Sequence, residues 1–301
     1  MNYVETIGIS VQFSVTRTVE GFATSGLKAK THSLFNRSLA VAITLGAMSS
    51  ASAHELMLKP PTSIPSSATS VAIEVSNGDI DTSSSNTSLA AIEDLRIVRN
   101  GVIVKPTAQE WVTQRLTSYF SIDVRPSATY LLGLSTVPKA IQMTREEFAD
   151  YLKEEQIEVS AGSQTGKKVR ERYSKHAISY LQVGPVLTDD YAAALTYPAQ
   201  IRLTANPSSL QVGDKVRVIV TLNGKPLASQ LLLGGRKDPG RSSAVSPTLD
   251  LKLRTDDRGM AEFVITRAGR WYVYFVAMRP VNDGTADYES FYATTLFDIK
   301  P

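Results

Sequence analysis

Apolar and polar residues alternate along much of this chain with the two-residue period of strands that lie on a core. Val71-Ala-Ile-Glu-Val75 carries apolar side chains at every second position. Leu95-Arg-Ile-Val-Arg99 and Val102-Ile-Val-Lys105 flank Asn100-Gly101, a pair that accepts the positive φ of a tight hairpin turn. Alternation continues through Trp111–Val124 and Tyr130–Leu134, and returns in Val216, Val218 and Val220 before a second turn signal, Asn223-Gly224. Leu249, Leu251 and Leu253 alternate with charged residues, Asp256–Gly259 predicts a turn, and Ala261–Ile265 is expected to pair back on them. Gly269 leads into Trp271–Val276, and Glu289–Phe297 reads as a final core strand. The aromatic stripe Trp271–Phe275 lies on a strand apolar on both faces, which points to core packing rather than to a carbohydrate platform. Leu231–Gly235 and the loop to Pro247 are expected between strands, the Gly, Arg, Ser and Pro of the loop arguing for exposure.

One segment breaks the period. Thr144-Arg-Glu-Glu147 is a capping-box pattern leading into Phe148, Tyr151 and Leu152 on one helical face, so a helix is predicted over 144–155. Residues 160–168 read as a polar loop. The stretch 169–183 stays open: Val169, Tyr173 and Ala177 are four apart, whereas Ile178 and Tyr180 fit a strand. Short strands divided by turn signals imply an all-β, mainly antiparallel fold. The expectation is two β-sandwich modules, Ig-like or carboxypeptidase-regulatory-like, with one or two short helices. Pro185 and Pro198 bracket a polar stretch. The expected division is therefore residues 1–53 as an N-terminal extension and signal peptide, 54–195 as an N-terminal β domain with a helical insert, and 196–301 as a C-terminal β-sandwich.

The first residues change the picture of where the protein works. Lys28, Lys30 and Arg37 precede the apolar run Leu39–Met48, and small residues follow, ending in Ala51-Ser52-Ala53. That order is the secretory signal pattern, and the run is shorter than the ~20 residues of a spanning helix. Cleavage after Ala53 would make His54 the first residue of an exported, periplasmic protein. Met1 to about Leu27 reads as an upstream extension. No later stretch is long and apolar enough to span a membrane, so no transmembrane segment is expected in the mature chain. Residues 1–53 hold four Lys/Arg and two Asp/Glu, so their removal takes the formal charge from +3 to +1; nothing concentrates positive charge for nucleic acid. Cysteine is absent, which excludes disulfides, thiolate metal sites and a cysteine nucleophile.

Several familiar chemistries fail on spacing. No Gly-x-Ser-x-Gly elbow occurs. Gly162-Ser-Gln-Thr-Gly166-Lys167-Lys168 lacks one spacer and the hydroxyl residue of a phosphate loop, and a plain loop explains it. His54-Glu55 opens like a zinc-protease motif, but Leu58 stands where the second histidine belongs. Asp256-Asp257 has neither the ligand spacing nor the terminal Glu of a calcium loop. No carboxylates are paired for acid–base work, and neither an enzymatic activity nor an organic cofactor is expected.

The unusual feature is His54 as first residue. A freed α-amine and the imidazole Nδ1 of one histidine chelate a metal in a six-membered ring once both are unprotonated, which reference pKa values of about 7.7–8.0 and 6.5 allow near neutral pH. Nitrogen donors favour Cu²⁺ and Ni²⁺. Glu55 offers an oxygen, and His176, the other histidine of the mature chain, offers a further nitrogen. The metal candidates are therefore His54, Glu55 and His176. The bland alternatives are a terminus that merely follows its cleavage site, and a surface or partly buried His176.

Ala53-His-Glu-Leu-Met-Leu-Lys-Pro60 resembles the mature start of the NikM-like periplasmic domain family of unknown function, found alongside nickel and cobalt uptake transporters. Arg170–Lys175 resembles that family's central segment. Asn206–Asp214 and Asn223–Leu227 resemble the start of its second domain. Thr255–Gly259, Gly269–Trp271 and Asp287–Phe297 resemble its ending. The resemblance covers most of 54–299 and implies a mainly β protein that handles nickel, cobalt or copper, with a metal-uptake transporter or another periplasmic protein as partner. Met57 stands where the family often has an aromatic residue, and Ala277 where it often has a histidine; ligation through Met57 or Met278 would favour Cu⁺. Two other readings stay open: an adhesive or structural module without metal, and a copper oxidase of the histidine-brace type.

Overall fold

The computed structural model describes residues 55–160, 166–237, 249–281 and 283–300. The signal segment, His54, and the loop residues 161–165 and 238–248 lie outside the described residues. In chain order the strands are β1 (Glu55–Lys59), β2 (Ser70–Gly78), β3 (Ser83–Ser85), β4 (Ile92–Arg99), β5 (Val102–Val104), β6 (Trp111–Gln114), β7 (Thr117–Asp123), β8 (Ala128–Thr136) and β9 (Lys139–Thr144). The single α-helix among the described residues, α1 (Arg145–Glu154), follows. Then come β10 (Lys168–Val183), β11 (Ala199–Leu203), β12 (Lys215–Leu222), β13 (Lys225–Pro226), β14 (Leu231–Lys237), β15 (Leu249–Arg254), β16 (Met260–Val264), β17 (Gly269–Pro280) and β18 (Tyr288–Ile299). No described helix is long and apolar enough to cross a membrane.

The chain is all-β with sandwich-like, mostly antiparallel sheets. A nine-stranded sheet forms the centre, in the order β15-β14-β17-β18-β10-β8-β4-β5 with β9 also on β10. Strand alternation gives this sheet two apolar faces. Ala177, Leu181 and Val183 of β10 meet Leu56 and Leu58 of β1 and Ile73, Val75 and Phe120 of the sheet β1-β2-β7-β6. Ile178 and Tyr180 point the other way, into a core shared with Ile201, Val216, Val218, Val220 and Phe263 of the third sheet, which joins β11, β12, β13 and β16. The expected boundary at 195/196 falls just before β11, and the central sheet takes strands from both sides of it. The link is the pairing of β10 with β18, which is parallel, from Glu171↔Tyr288 to Ser179↔Leu296.

Local signals account for many of these elements. Asn100 and Gly101 adopt φ of 47° and 71° in the two-residue turn between β4 and β5, and Asn223-Gly224 does the same between β12 and β13 with 50° and 74°. Thr144 caps α1 as its sequence predicts: its hydroxyl accepts from Glu147 N (3.1 Å), and the Glu147 carboxylate accepts from Thr144 N (2.7 Å). The ambiguous stretch 169–183 is strand throughout, because both its faces are covered.

Three expectations change. Leu231–Gly235 is not a connection but the start of β14, buried between β15 and β17. Its glycines disguise it: a Cβ on Gly234 would lie 2.4 Å from the Tyr272 carbonyl oxygen, so close sheet packing requires the glycine. Residues 249–254 and 260–264 do not pair with each other. β15 joins β14 in the central sheet, and β16 joins β12 in the third. The turn between them crosses layers, with Asp256 Oδ1 accepting from Arg258 N (2.9 Å) and Met260 N (2.8 Å). Finally, Trp111–Val124 folds back at Arg115, whose φ of 52° makes a turn without Asn or Gly.

Gly234→Ala is expected to destabilise the fold by about 2 kcal/mol through overpacking against the Tyr272 backbone; the midpoint of urea unfolding, with an unchanged slope, checks it.

Candidate functional site

Glu55 opens β1, and what surrounds its carboxyl is polar although the neighbouring elements are apolar. β1 is paired with β2 from Glu55↔Gly78 to Lys59↔Glu74. Its far end is tied down by the buried Lys59, whose ammonium meets Glu74 at 3.2 Å. Arg270, itself paired with Asp298 at 2.7 Å, donates to the Pro60 carbonyl at 2.6 Å. β1 is thereby fixed over the central sheet. Met57 packs with Ile80, Leu231, Leu233, Tyr272, Tyr274 and Leu296, so its thioether is core.

On the same face, β10 and β18 present Glu171, Lys175 and Tyr292, and α1 lays Tyr151 across them. The Lys175 ammonium donates to Asn77 Oδ1 at 2.6 Å and lies 5.5 Å from the centre of the Tyr292 ring and 5.8 Å from that of Tyr173. Tyr151 donates to Glu171 Oε1 at 3.2 Å, Ser290 Oγ donates to the same oxygen, and the hydroxyls of Tyr151 and Tyr292 are hydrogen-bonded to each other. Glu155, one residue past α1, closes the group.

Burial dominates the electrostatics. It pushes the Glu55 carboxyl up to about 7 against the pull of Lys175, with Asp79 adding to the rise. It pushes Glu155 up to about 8, and the negative charge of Glu55 adds to this. Burial lowers Lys175 to about 8, opposed by Glu55. Glu171 is raised by burial and held back by its hydrogen bonds from Ser290 and Tyr151. Tyr151, Tyr274 and Tyr292 are all raised above the ordinary phenol range, first by burial and then by neighbouring acids and phenols. Three carboxyls thus surround the Lys175 ammonium inside a poorly hydrated island, with Lys139 near enough to lower Lys175 further, an arrangement that retains protons near neutral pH.

His54 lies outside the described residues. His176 is described, and the structure does not bring it to Glu55. Successive residues of a strand face opposite ways, so Lys175 turns toward Glu55 while His176 turns to the other layer. There His176 is 1% exposed. Its Nδ1 is 3.0 Å from Ser135 Oγ, its Nε2 is 3.1 Å from Ser174 Oγ, and its ring stacks on Tyr197 at 6.1 Å. Desolvation lowers its pKa to about 4. Ala277 faces the same layer as His176, and Met278 packs partly buried beside the α1 cluster. Among the described residues no three His, Asp or Glu side chains form a ready metal cage. Sequence reasoning found Glu55 but missed Tyr151, Glu155, Glu171, Lys175 and Tyr292. The one available signal was the acid, phenol and amine at alternate positions 171, 173 and 175 of a strand with an apolar continuation.

A family model described as "Domain of unknown function (DUF4198)" matches residues 51–279. No curated protein matches the sequence. Among solved structures, the chain is similar to one titled "D0-D1 domain of Intimin", at 10% identity and a TM-score of 0.18, with 81% of this chain and 97% of that chain covered.

The buried neutral His176 makes stability depend on acid. Its folded pKa lies below its unfolded value of about 6.5, so the unfolded chain binds the extra proton. Its contribution is present above pH 6.5 and lost as pH falls through 4, a cost of about 3 kcal/mol once fully expressed. Urea unfolding at pH 7 and at pH 4 is expected to show a smaller acid loss in His176→Gln than in the wild type.

Proposed function

We propose, from the premise that this chain belongs to the DUF4198 family, that it is an exported periplasmic protein that binds and hands on a transition-metal ion at its mature N-terminus. The observation that carries this reading is the gathering of carboxyls beside β1: the charge of Glu55 adds to the rise of Glu155, Asp79 adds to that of Glu55, and Lys175 is the cation that pulls against both. A divalent cation offsets those carboxylates. Glu55 is also the residue that follows His54, so the α-amine and Nδ1 chelate proposed for His54 and the carboxylate of Glu55 belong to one stretch of chain.

The proposed ligand set is His54 through its amine and imidazole, with Glu55 as oxygen donor and Glu155 as a second carboxylate. His176 is left out of it, since both its ring nitrogens are engaged on the other face of β10. Mixed nitrogen and oxygen donors suit Ni²⁺, Co²⁺ and Cu²⁺, with Cu²⁺ bound most tightly in the usual order. The binding role is non-enzymatic. The resemblance to the NikM-like periplasmic proteins supports nickel or cobalt uptake as the setting, with a transporter as the partner that receives the ion.

The test is a Ni²⁺ and Cu²⁺ titration of the protein beginning at His54, beside one carrying an extra N-terminal Ala. The extra residue converts the amine to an amide and is expected to weaken binding at least 100-fold; equal binding by the two proteins overturns the terminal chelate. Glu55→Gln is expected to cost about tenfold. Because the amine, the imidazole and the two carboxyls must all give up protons, affinity in the wild type rises from pH 6 to pH 8, with protons released into a weakly buffered solution on metal addition. An ion that binds without proton release, or identically in Glu55→Gln, does not use this site.

A further inference from the structure

Asn77 and Lys175 meet between two sheets. Asn77 lies on β2, opposite Leu56 of β1, and Lys175 lies on β10 of the central sheet, beside Tyr292 of β18. The Lys175 Nζ is 2.6 Å from Asn77 Oδ1, although the two residues are 98 positions apart in the chain. The carbonyl carbon Cγ is bonded to the oxygen that Nζ already contacts. The amide nitrogen points elsewhere: Asn77 Nδ2 donates to Oγ of the exposed Ser85 at 2.6 Å. The Asn77 backbone is held as well, its N–H donating to Ser83 Oγ (3.0 Å) and its carbonyl accepting from Ser84 Oγ (3.2 Å).

The surroundings of the pair suit a reaction between an amine and an amide. The rings of Tyr292 and Tyr173 lie 5.5 and 5.8 Å from Nζ, holding it in place and screening it from water. Burial favours the neutral amine over the ammonium, and the neutral amine is the nucleophile. Carboxyls able to carry protons are at hand. Glu55, paired with Gly78 next to Asn77, exerts the strongest charge effect on Lys175, with Glu155 and Glu171 behind it. Two groups held in contact by a fold react without the entropic cost of an encounter.

We propose that Lys175 and Asn77 join in an isopeptide bond that cross-links the sheet β1-β2-β7-β6 to the central sheet. The Lys175 nitrogen bonds to Asn77 Cγ, and the Cγ–Nδ2 bond breaks. Two protons pass from the lysine ammonium, through a neighbouring carboxyl, to Nδ2, which departs past Ser85 as ammonium. No oxidant, cofactor or second substrate is consumed. The new amide is neutral, so the cost of keeping a lysine ammonium away from water disappears. A covalent link across 98 residues also restricts the unfolded chain. Neither residue belongs to the proposed metal ligands, and the product is detected without metal.

The test is the intact mass, under denaturing conditions, of the protein beginning at His54 after it has been held folded at pH 8 without metal. The mass is expected to fall short of the sequence mass by one ammonia. A tryptic digest is expected to contain a branched peptide joining the segment of Asn77 to that of Lys175, with cleavage after Lys175 lost. Lys175→Arg, which keeps the charge without the nucleophile, and Asn77→Ala are expected to keep the full mass. Asn77-Gly78 offers another route to the same loss, closure of the Asn77 side chain on the Gly78 nitrogen, which needs no lysine and forms no branch. A full mass in the wild type, an ammonia loss without the branched peptide, or an equal loss in Lys175→Arg overturns the proposal.

Discussion

The sixteen residues of β10 decide the layout of this molecule, because a strand that long within a sheet must present alternate side chains to two different environments. Glu171, Lys175 and Ala177 look toward β1 and α1. Ser174, His176, Ile178 and Tyr180 look toward the third sheet. A slip of one residue would exchange the two sets and leave an ammonium in the apolar layer that now holds Ile178 and Tyr180. The serine hydroxyls on both nitrogens of His176, and Asn77 on Lys175, fix the strand against such a slip.

The same constraint explains why the polar island is tolerable. Buried ionisable groups are costly unless they are paired or neutral. Here Glu55, Glu155 and Glu171 gather around Lys175, and burial is met partly by hydrogen bonds to neutral phenols and hydroxyls and partly by the carboxyls keeping their protons. Tyr151 and Tyr292 supply hydroxyls, and the ring faces of Tyr173 and Tyr292 lie against the Lys175 ammonium. Tyrosine suits this role because one side chain offers both an apolar body for the surrounding core and a polar tip.

Much of the strand content was legible in the sequence wherever one face is wet or a turn residue has a conformation to fill. Asn100-Gly101, Asn223-Gly224 and the Thr144 capping box each specify local geometry by themselves. The doubly buried strands were harder. β14 carries two glycines for close approach, and the absence of alternation in Leu231–Gly235 hid it. β10 fits a helical period as well as a strand until its two layers are known. The partners of β15 and β16 depend on which sheet each edge can reach, which no short pattern records. At the site, Glu55 was legible because it adjoins His54 in the chain. Glu155, Lys175 and Tyr292 come from three further elements, and only the pairing of β10 with β18 brings them together.

That pairing has a consequence in time. Residues 172 and 289, partners in the register, are joined by a long stretch of chain, and closing such a contact costs entropy that local structure does not repay. β18 is also an interior strand of the central sheet, flanked by β10 and β17, so a nascent chain that has not yet reached it has a gap where Tyr292 and Ser290 belong. Lys175 then loses an aromatic face and Glu171 a hydroxyl. Only a chain that includes β18 can complete the island, which makes the polar cluster itself a check that this strand has been made and placed.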